Sequence, residues 1–390
     1  MTSLINNSNQ HFALTKDFDT LYQKLSERVA TDVIYKISDG NGLEIFNYGL
    51  TCQFDKTFWD NYSLISRGLI LCPAKKKIVA LPFPKFFNYG EITYDLPKGS
   101  FSITEKVDGS LGIIYFWNDQ WNVSTRGSFN SDQAKWAKDW LYNNVDVSKL
   151  NTDLTYLAEI IYQENRIVIS YDFEGLVFLS AYNRENGLEL SYDDICKCGS
   201  LLGLRVVKKY FYNSIEEIVA ICKNLDHNSE GFVIQFLDGY RIKIKGDEYC
   251  RVHRLISNVT PLRVWDMMLN GDNMDVVAKQ LPEELRKDFD NISEILTSIM
   301  VSAVKSIEEG YLATKHLTDK EVGLMLDDSK LNKIQRQFLF ACRKKNFFAE
   351  WQIGGSRLRR NLFNNFRPCQ NRLEGYTPST VMNRFSEDEG

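Results

Sequence analysis

Glu105-Lys106-Val107-Asp108-Gly109 stands directly before the apolar run Leu111-Gly112-Ile113-Ile114-Tyr115-Phe116. The run has the length and apolar content of a buried strand. Trp121-Asn122-Val123 resumes after Asn118-Asp119, so the two segments predict a hairpin. Lys106 then sits at a strand edge, beside a glycine turn that lets backbone approach a bound group. Strand signals continue outward in both directions. Val33-Ile34-Tyr35-Lys36-Ile37 and Leu43-Glu44-Ile45-Phe46 flank Asp39-Gly40-Asn41-Gly42, and residues 232–236 and 240–245 flank Asp238-Gly239. Both are hairpin signatures. Leu176 to Leu179 reads as a buried strand.

Helices interrupt this pattern. Ser131 can cap a helix carrying Ala134, Ala137, Trp140 and Leu141, and Ser214 with Glu217 makes a capping box before Ile218. Beyond residue 255 helices take over. Thr260-Pro261 opens a short helix that Gly271 closes. Residues 282–310 place Leu285, Phe289, Ile292, Leu296, Ile299, Ala303 and Ile307 at helical spacing. Thr318 with Glu321 forms another capping box, Leu331, Ile334, Phe338 and Cys342 continue a stripe, and Ser386 to Gly390 read as frayed. The fold class expected is α+β: an antiparallel-sheet-rich catalytic domain over 1–255, then an all-helical C-terminal domain over 256–390.

At 390 residues the chain has room for two or three domains. A net charge of -4 does not announce a nucleic-acid binder, although basic residues gathered in one groove fit such a balance. Eight cysteines and four histidines are scattered, Cys196-Lys197-Cys198 is the only close pair, and no zinc-site spacing is completed. Reduced thiols in a cytoplasmic setting are expected. The N-terminus lacks a signal-peptide apolar core, and no stretch is long enough to span a membrane.

The companions of Lys106 fall in a recognisable order. Lys106-Val107-Asp108-Gly109 is followed by Ser124-Thr125-Arg126-Gly127-Ser128, Leu157-Ala158-Glu159-Ile160 with Asn165-Arg166-Ile167-Val168, Val177-Phe178-Leu179, Glu230-Gly231-Phe232-Val233 and Lys243-Ile244-Lys245. Arg67-Gly68 and Lys85-Phe86-Phe87-Asn88 lie upstream. Over residues 30 to 255 this series resembles the covalent nucleotidyltransferases, and most closely the ATP-dependent RNA ligases of the T-even phage RNA ligase 1 type. That type carries a lysine where this chain has Arg126. The resemblance implies a nucleotidyltransferase domain in which Lys106 is the nucleophile that stores AMP as a phosphoramidate. It implies ATP and Mg²⁺ (or Mn²⁺) as cofactors, with Glu230 and Glu159 toward the metal and Glu159 also toward the ribose. Arg67 and Lys85 would engage the ATP β/γ-phosphates or an RNA 5′-phosphate. Gly109, Arg126, Phe178, Lys243 and Lys245 complete the nucleotide site, with Phe178 in the strand under the base and Phe87 supporting the pocket. The implied partners are RNA with 5′-phosphate and 3′-hydroxyl ends, with broken tRNA a candidate, and a polynucleotide kinase-phosphatase that prepares those ends. A phage or viral origin would place it in the host cytoplasm.

Elementary chemistry fits the grouping. A lysine near its ordinary pKa of about 10.4 is a poor nucleophile at neutral pH. Lys243 and Lys245, pointing to one face of a strand, and a bound Mg²⁺ are expected to favour the neutral amine of Lys106. The same charges would offset charge growing at the α-phosphate. Each residue also has an ordinary reading: Lys243 and Lys245 as a solvated strand face, Glu230 as a turn, Phe86 and Phe87 as core, Arg67 as a surface ion pair. Asp108 would orient its turn through backbone amides. In the C-terminal domain Lys344, Lys345, Arg357, Arg359, Arg360 and Arg367 interleave with Phe347, Phe348, Trp351, Phe363 and Phe366. That is either an RNA-binding surface or an amphipathic helix with a basic face. The rival functions are a DNA ligase or GTP-using capping enzyme, both usually continued by an oligonucleotide-binding barrel, and a non-catalytic RNA-binding relative.

Overall fold

The computed structural model describes residues 10–91, 96–281, 283–325, 331–344, 347–369 and 372–377. Lys345, Pro282 and the stretch from Ser386 to Gly390 lie outside them. The chain divides into two compact units, residues 1–251 and 252–390.

The first unit is built on three sheets. A four-stranded antiparallel meander runs Ile34–Ser38, Glu44–Tyr48, Arg67–Cys72 and Lys77–Ala80. A second, five-stranded sheet has the spatial order Arg205–Val206, Gly175–Asn183, Leu154–Ile161, Ser110–Trp117, Gln120–Thr125. A third, also five-stranded, has the order Lys209–Tyr210, Phe101–Glu105, Gly231–Phe236, Arg241–Lys245, Phe87–Asn88. All three predicted hairpins form. Asn118 and Asp119 both take positive φ, 50° and 59°, which matches the twist of two-residue hairpin turns. Gly40, Gly42 and Gly239 supply positive φ in the other two.

Period-two alternation decides what each face of the second sheet meets. Ile113, Tyr115 and Leu157 face the first sheet in one apolar cluster with Ile45, Phe46 and Leu69. Ile114, Tyr156, Ala158 and Phe178 face the other way, against helices Asp132–Asn144 and Tyr192–Leu202. Ser131 caps the first of these by accepting from Ala134 N at 3.2 Å. The third sheet packs Ile103, Phe232, Ile234 and Ile244 on Ile218 and Cys222 of helix Ile215–Cys222. There Ser214 accepts from Glu217 N, but the Glu217 carboxylate reaches past the cap residue to Asn213 N at 2.8 Å.

The described residues of the second unit form helices and one isolated bridge, Cys369 with Arg372. Helix Pro261–Asn270 starts at Thr260, whose hydroxyl accepts from Arg263 N, and stops at Gly271 with φ 83°. The long helix Glu283–Thr314 runs past Gly310, where the predicted stripe stops. Its Ile307 packs with Phe338, Cys342, Phe347 and Leu362. No cysteine is in a disulfide, and no helix among the described residues is long and apolar enough to cross a membrane.

Candidate active site

Lys106 lies where the chain leaves the third sheet at Glu105 and enters the second at Ser110. Its backbone N–H donates to Gly231 O at 2.9 Å, which fixes it beside the strand carrying Glu230. Asp108 anchors the loop more deeply than a local turn would. Its Oδ2 accepts from Val168 N and Ile169 N, both at 2.9 Å, and its Oδ1 accepts from Tyr249 Oη at 2.7 Å. The amides it bonds belong to a distant segment, so the expected role in orienting its own turn becomes a long-range clamp. Gly109 also serves differently from expectation. A Cβ there would stand 2.7 Å from Ile160 O and 2.8 Å from Ile161 Cδ1. Its bareness lets the loop close on the second sheet.

Glu230 organises the charge. It is only 3 % exposed, and its two oxygens hold two ammonium groups, Lys106 Nζ at 2.7 Å and Lys245 Nζ at 2.8 Å. Burial alone would raise the Glu230 pKa, but the two cations hold it below the ordinary range. For Lys106, burial acts to lower the pKa, and the carboxylates of Glu230 and Glu159 outweigh it and hold the amine above the ordinary lysine value. Here the expectation is corrected. Lys106 is held as an ammonium ion, because Glu230 and Glu159 act on it more strongly than burial does.

The depressed lysine is Lys243. Burial, with Lys85, Lys106, Lys245 and Arg67 around it, pushes its pKa down to about 7. Arg67 is half-buried in the field of Arg126, and its Nη1, which is buried, makes no hydrogen bond. The Arg67 guanidinium and Lys243 Nζ lie 5.6 and 5.9 Å from the centre of the Phe86 ring. Lys85 Nζ lies 5.5 Å from the Tyr48 ring and 5.2 Å from Phe87, and Arg126 Nη1 donates to Tyr48 Oη at 2.8 Å. A crowded set of cations with an unsatisfied guanidinium donor is costly alone and is what a polyphosphate satisfies. Sequence reasoning missed Tyr48, the hydroxyl that holds Arg126. It also missed Asn47, register partner of Arg67, which is buried with both amide atoms unpaired. Only their place beside Arg67 across a bulged strand pair, invisible before folding, marks them.

Glu159 projects from the middle of the second sheet, in register with Leu111 and Val177. Loss of hydration and the nearby Glu230 push its pKa up to about 8, against the pull of Lys106 and Arg67. Among the described residues it has no ion-pair partner within 4.0 Å, and no group of three or more potential ligands forms a metal cage. Glu159 and Glu230 therefore fit a hard cation that keeps its waters and takes further oxygens from phosphates. The sign of the pH effect follows. Between about 4.5 and 8 the folded protein keeps a proton that the unfolded chain loses, so stability falls as pH rises through that window. Thermal melts of Glu159→Gln are expected to show a flatter pH profile there than the parent; an equally steep profile counts against the buried carboxyl. Phe178 is misplaced by the sequence reading. It pairs with Ala158, on the face opposite Glu159, and is fully buried under the helices, so it offers no surface to a nucleotide. Val177 and half-buried Leu179 pack with Val107 on the loop side instead.

Residues 65–249 match the model of the family described as RNA ligase. Over that stretch the chain is similar to the RNA ligases. Among curated relatives, a protein of Autographa californica nuclear polyhedrosis virus named as a bifunctional polynucleotide kinase/RNA ligase is 28% identical over 243 residues. That match takes in 54% of this chain and 34% of the viral protein, so the chain spans about a third of that relative's length. An RNA ligase of Rhodothermus phage RM378 is 23% identical, covering 68% of this chain and 77% of the phage protein. A protein of Thermovibrio ammonificans named as an RNA ligase is 25% identical, covering 86% of this chain and 91% of its own.

Within the matched stretch, Gly231 aims Glu230. Gly231 has φ 135°, and a Cβ there would stand 2.0 Å from Ile244 O. Gly231→Ala is expected to cost about 3 kcal/mol or more in denaturant melts, since neither the φ nor the backbone contact can relax cheaply. A loss below 1 kcal/mol, on the scale of ordinary surface changes, would show that this crowding is not real. Beyond the matched stretch, two basic residues of the second unit are spent on structure. Arg359 is 9 % exposed and bonds Met268 O, Leu269 O and Trp351 O. Arg343 bonds Thr314 O, Leu317 O and Asp319. Phe347 and Phe363 are core. The RNA-binding reading of Arg359 is therefore replaced. Arg359→Ala is expected to lower stability by about 3 kcal/mol, because buried carbonyls lose their donors, with RNA affinity unchanged when measured below the melt.

Proposed function

We propose that the chain is an ATP-dependent RNA ligase acting through Lys106. The observation that carries this is Glu230 gripping Lys106 and Lys245 beside an unpaired Arg67 and the depressed Lys243. Arg67, Lys85 and Lys243 bind the ATP phosphates, and Lys243 takes up a proton as they arrive. A divalent cation held by Glu159 and Glu230 would supply charge neutralisation at the α-phosphate. Lys106 leaves its pairing with Glu230, loses its proton, and forms the N–P bond to the α-phosphorus as the bond to pyrophosphate breaks. The AMP then passes to an RNA 5′-phosphate, and a 3′-hydroxyl attacks that phosphate, joins the strands and releases AMP.

The rival enzymes are disfavoured because helix Asp247–Asn258 follows the Lys243–Lys245 strand where they usually place a barrel. A retired binding relative has no need to bury Glu230 between two lysines, since a charge in that position is expensive unless it works. Ends bearing 5′-phosphate and 3′-hydroxyl, broken tRNA among them, are the substrates this chemistry fits. The viral relative's name, which joins a polynucleotide kinase to an RNA ligase, supports a kinase as the supplier of the 5′-phosphate. Incubation with 5′-phosphorylated, 3′-hydroxyl RNA and either ATP or GTP tests the reading: joining with ATP is expected, and adduct formation with GTP alone would reject it.

A further inference from the structure

The chain crosses between the second and third sheets twice, at Lys106–Gly109 and again at Val207-Lys208. The crossings run side by side. Glu105 N donates to Lys208 O at 2.8 Å, Lys209 pairs with Thr104, and Val207 shares an apolar cluster with Val107. The second crossing carries side chains that AMP transfer does not use. The Arg205 guanidinium lies 3.9 Å from the centre of the Phe173 ring. Lys209 Nζ lies 5.0 Å from the Tyr192 ring and 5.6 Å from the Phe211 ring. Phe211 is 84 % exposed. Among the described residues Arg205, Lys208 and Lys209 form no ion pair. A lysine on an edge strand is ordinary protection against pairing, but it gives no reason for a phenylalanine ring left in water beside it.

Resting on the ligase reading, we propose that this second crossing holds a single-stranded RNA end for joining. Phe211 gives its ring face to an unpaired base, while Arg205, Lys208 and Lys209 meet the phosphates of the strand leading to Lys106. Cations set beside an exposed ring suit a single strand, because every unpaired base has a face to stack and a phosphate beside it. A duplex keeps its base faces to itself.

The test uses the full chain and a fluorescent 5′-phosphorylated oligouridylate. Binding is followed by anisotropy over a salt series, and AMP uptake is read separately by mass. Phe211→Ala is expected to weaken RNA binding about tenfold, with Phe211→Trp restoring it. Lys209→Glu is expected to weaken it by a similar factor and flatten the salt dependence. AMP uptake stays at the parent level in all three. Parent-like RNA affinity in both Phe211→Ala and Lys209→Glu overturns the proposal. So does a fall in AMP uptake matching the fall in RNA binding, which would place the strip in the nucleotide site. So does a change in the oligomeric state of Phe211→Ala with RNA binding intact, which would make the ring a contact between copies. A chain that binds RNA here yet takes up no AMP would overturn the ligase reading and leave the strip standing.

Discussion

Replacing Lys106 by alanine is expected to abolish AMP uptake and RNA joining from ATP, with no residual adduct by mass. The amine is the atom that would bond to phosphorus, and no neighbour can substitute. Lys245 is paired with Glu230, and Lys243 lies among other cations beside the Phe86 ring. The loss should be confined to the first two steps. RNA already carrying a 5′-adenylate needs only its 3′-hydroxyl activated, so Lys106→Ala is expected to seal it. Joining that survives with ATP would show that the reaction does not pass through this lysine. Loss of both reactions together would point to a collapsed site.

The second large effect belongs to Lys243. Lys243→Ala is expected to slow AMP uptake by about a hundredfold or more, the scale for removing one preorganised group that meets developing charge. Lys245→Ala should behave alike. Lys243 carries a further signature. Its pKa is pushed down to about 7 by burial among other cations, so below that pH the folded ligand-free protein must carry the charge at a cost the unfolded chain does not have. As pH rises from about 7 toward 10.5 the unfolded chain holds more protons than the folded one, and stability rises. Lys243→Met is therefore expected to melt higher than the parent at about pH 6, with the difference shrinking in alkali, while it loses activity. A variant that is less stable at about pH 6 would show that Lys243 is an ordinary structural residue.

The hairpins were legible because their turns require particular residues, Asp39-Gly40-Asn41-Gly42 and Asp238-Gly239, and the alternation beside them fixes a face. The motif order brought Lys106, Glu159, Glu230, Lys243, Lys245, Arg67 and Lys85 forward as candidates. What the strings hid was pairing across the fold. Phe178 failed because the side of its strand that meets the loop is set by pairing with Ala158 and its neighbour Glu159, on a separate strand. Lys106 was expected to be the depressed lysine, yet Glu230 approaches from another strand and holds it up, while burial among other cations depresses Lys243. Asp108, Tyr48 and Arg359 have partners between 78 and 141 residues away in the chain, and no local spacing announces them.

The central claim is tested most directly by the mass of the intact protein after incubation with ATP and Mg²⁺, followed by peptide mapping. The account predicts one added adenylyl group, on Lys106, lost in acid as a phosphoramidate should be. No added mass, or the group found on any other residue, would contradict it.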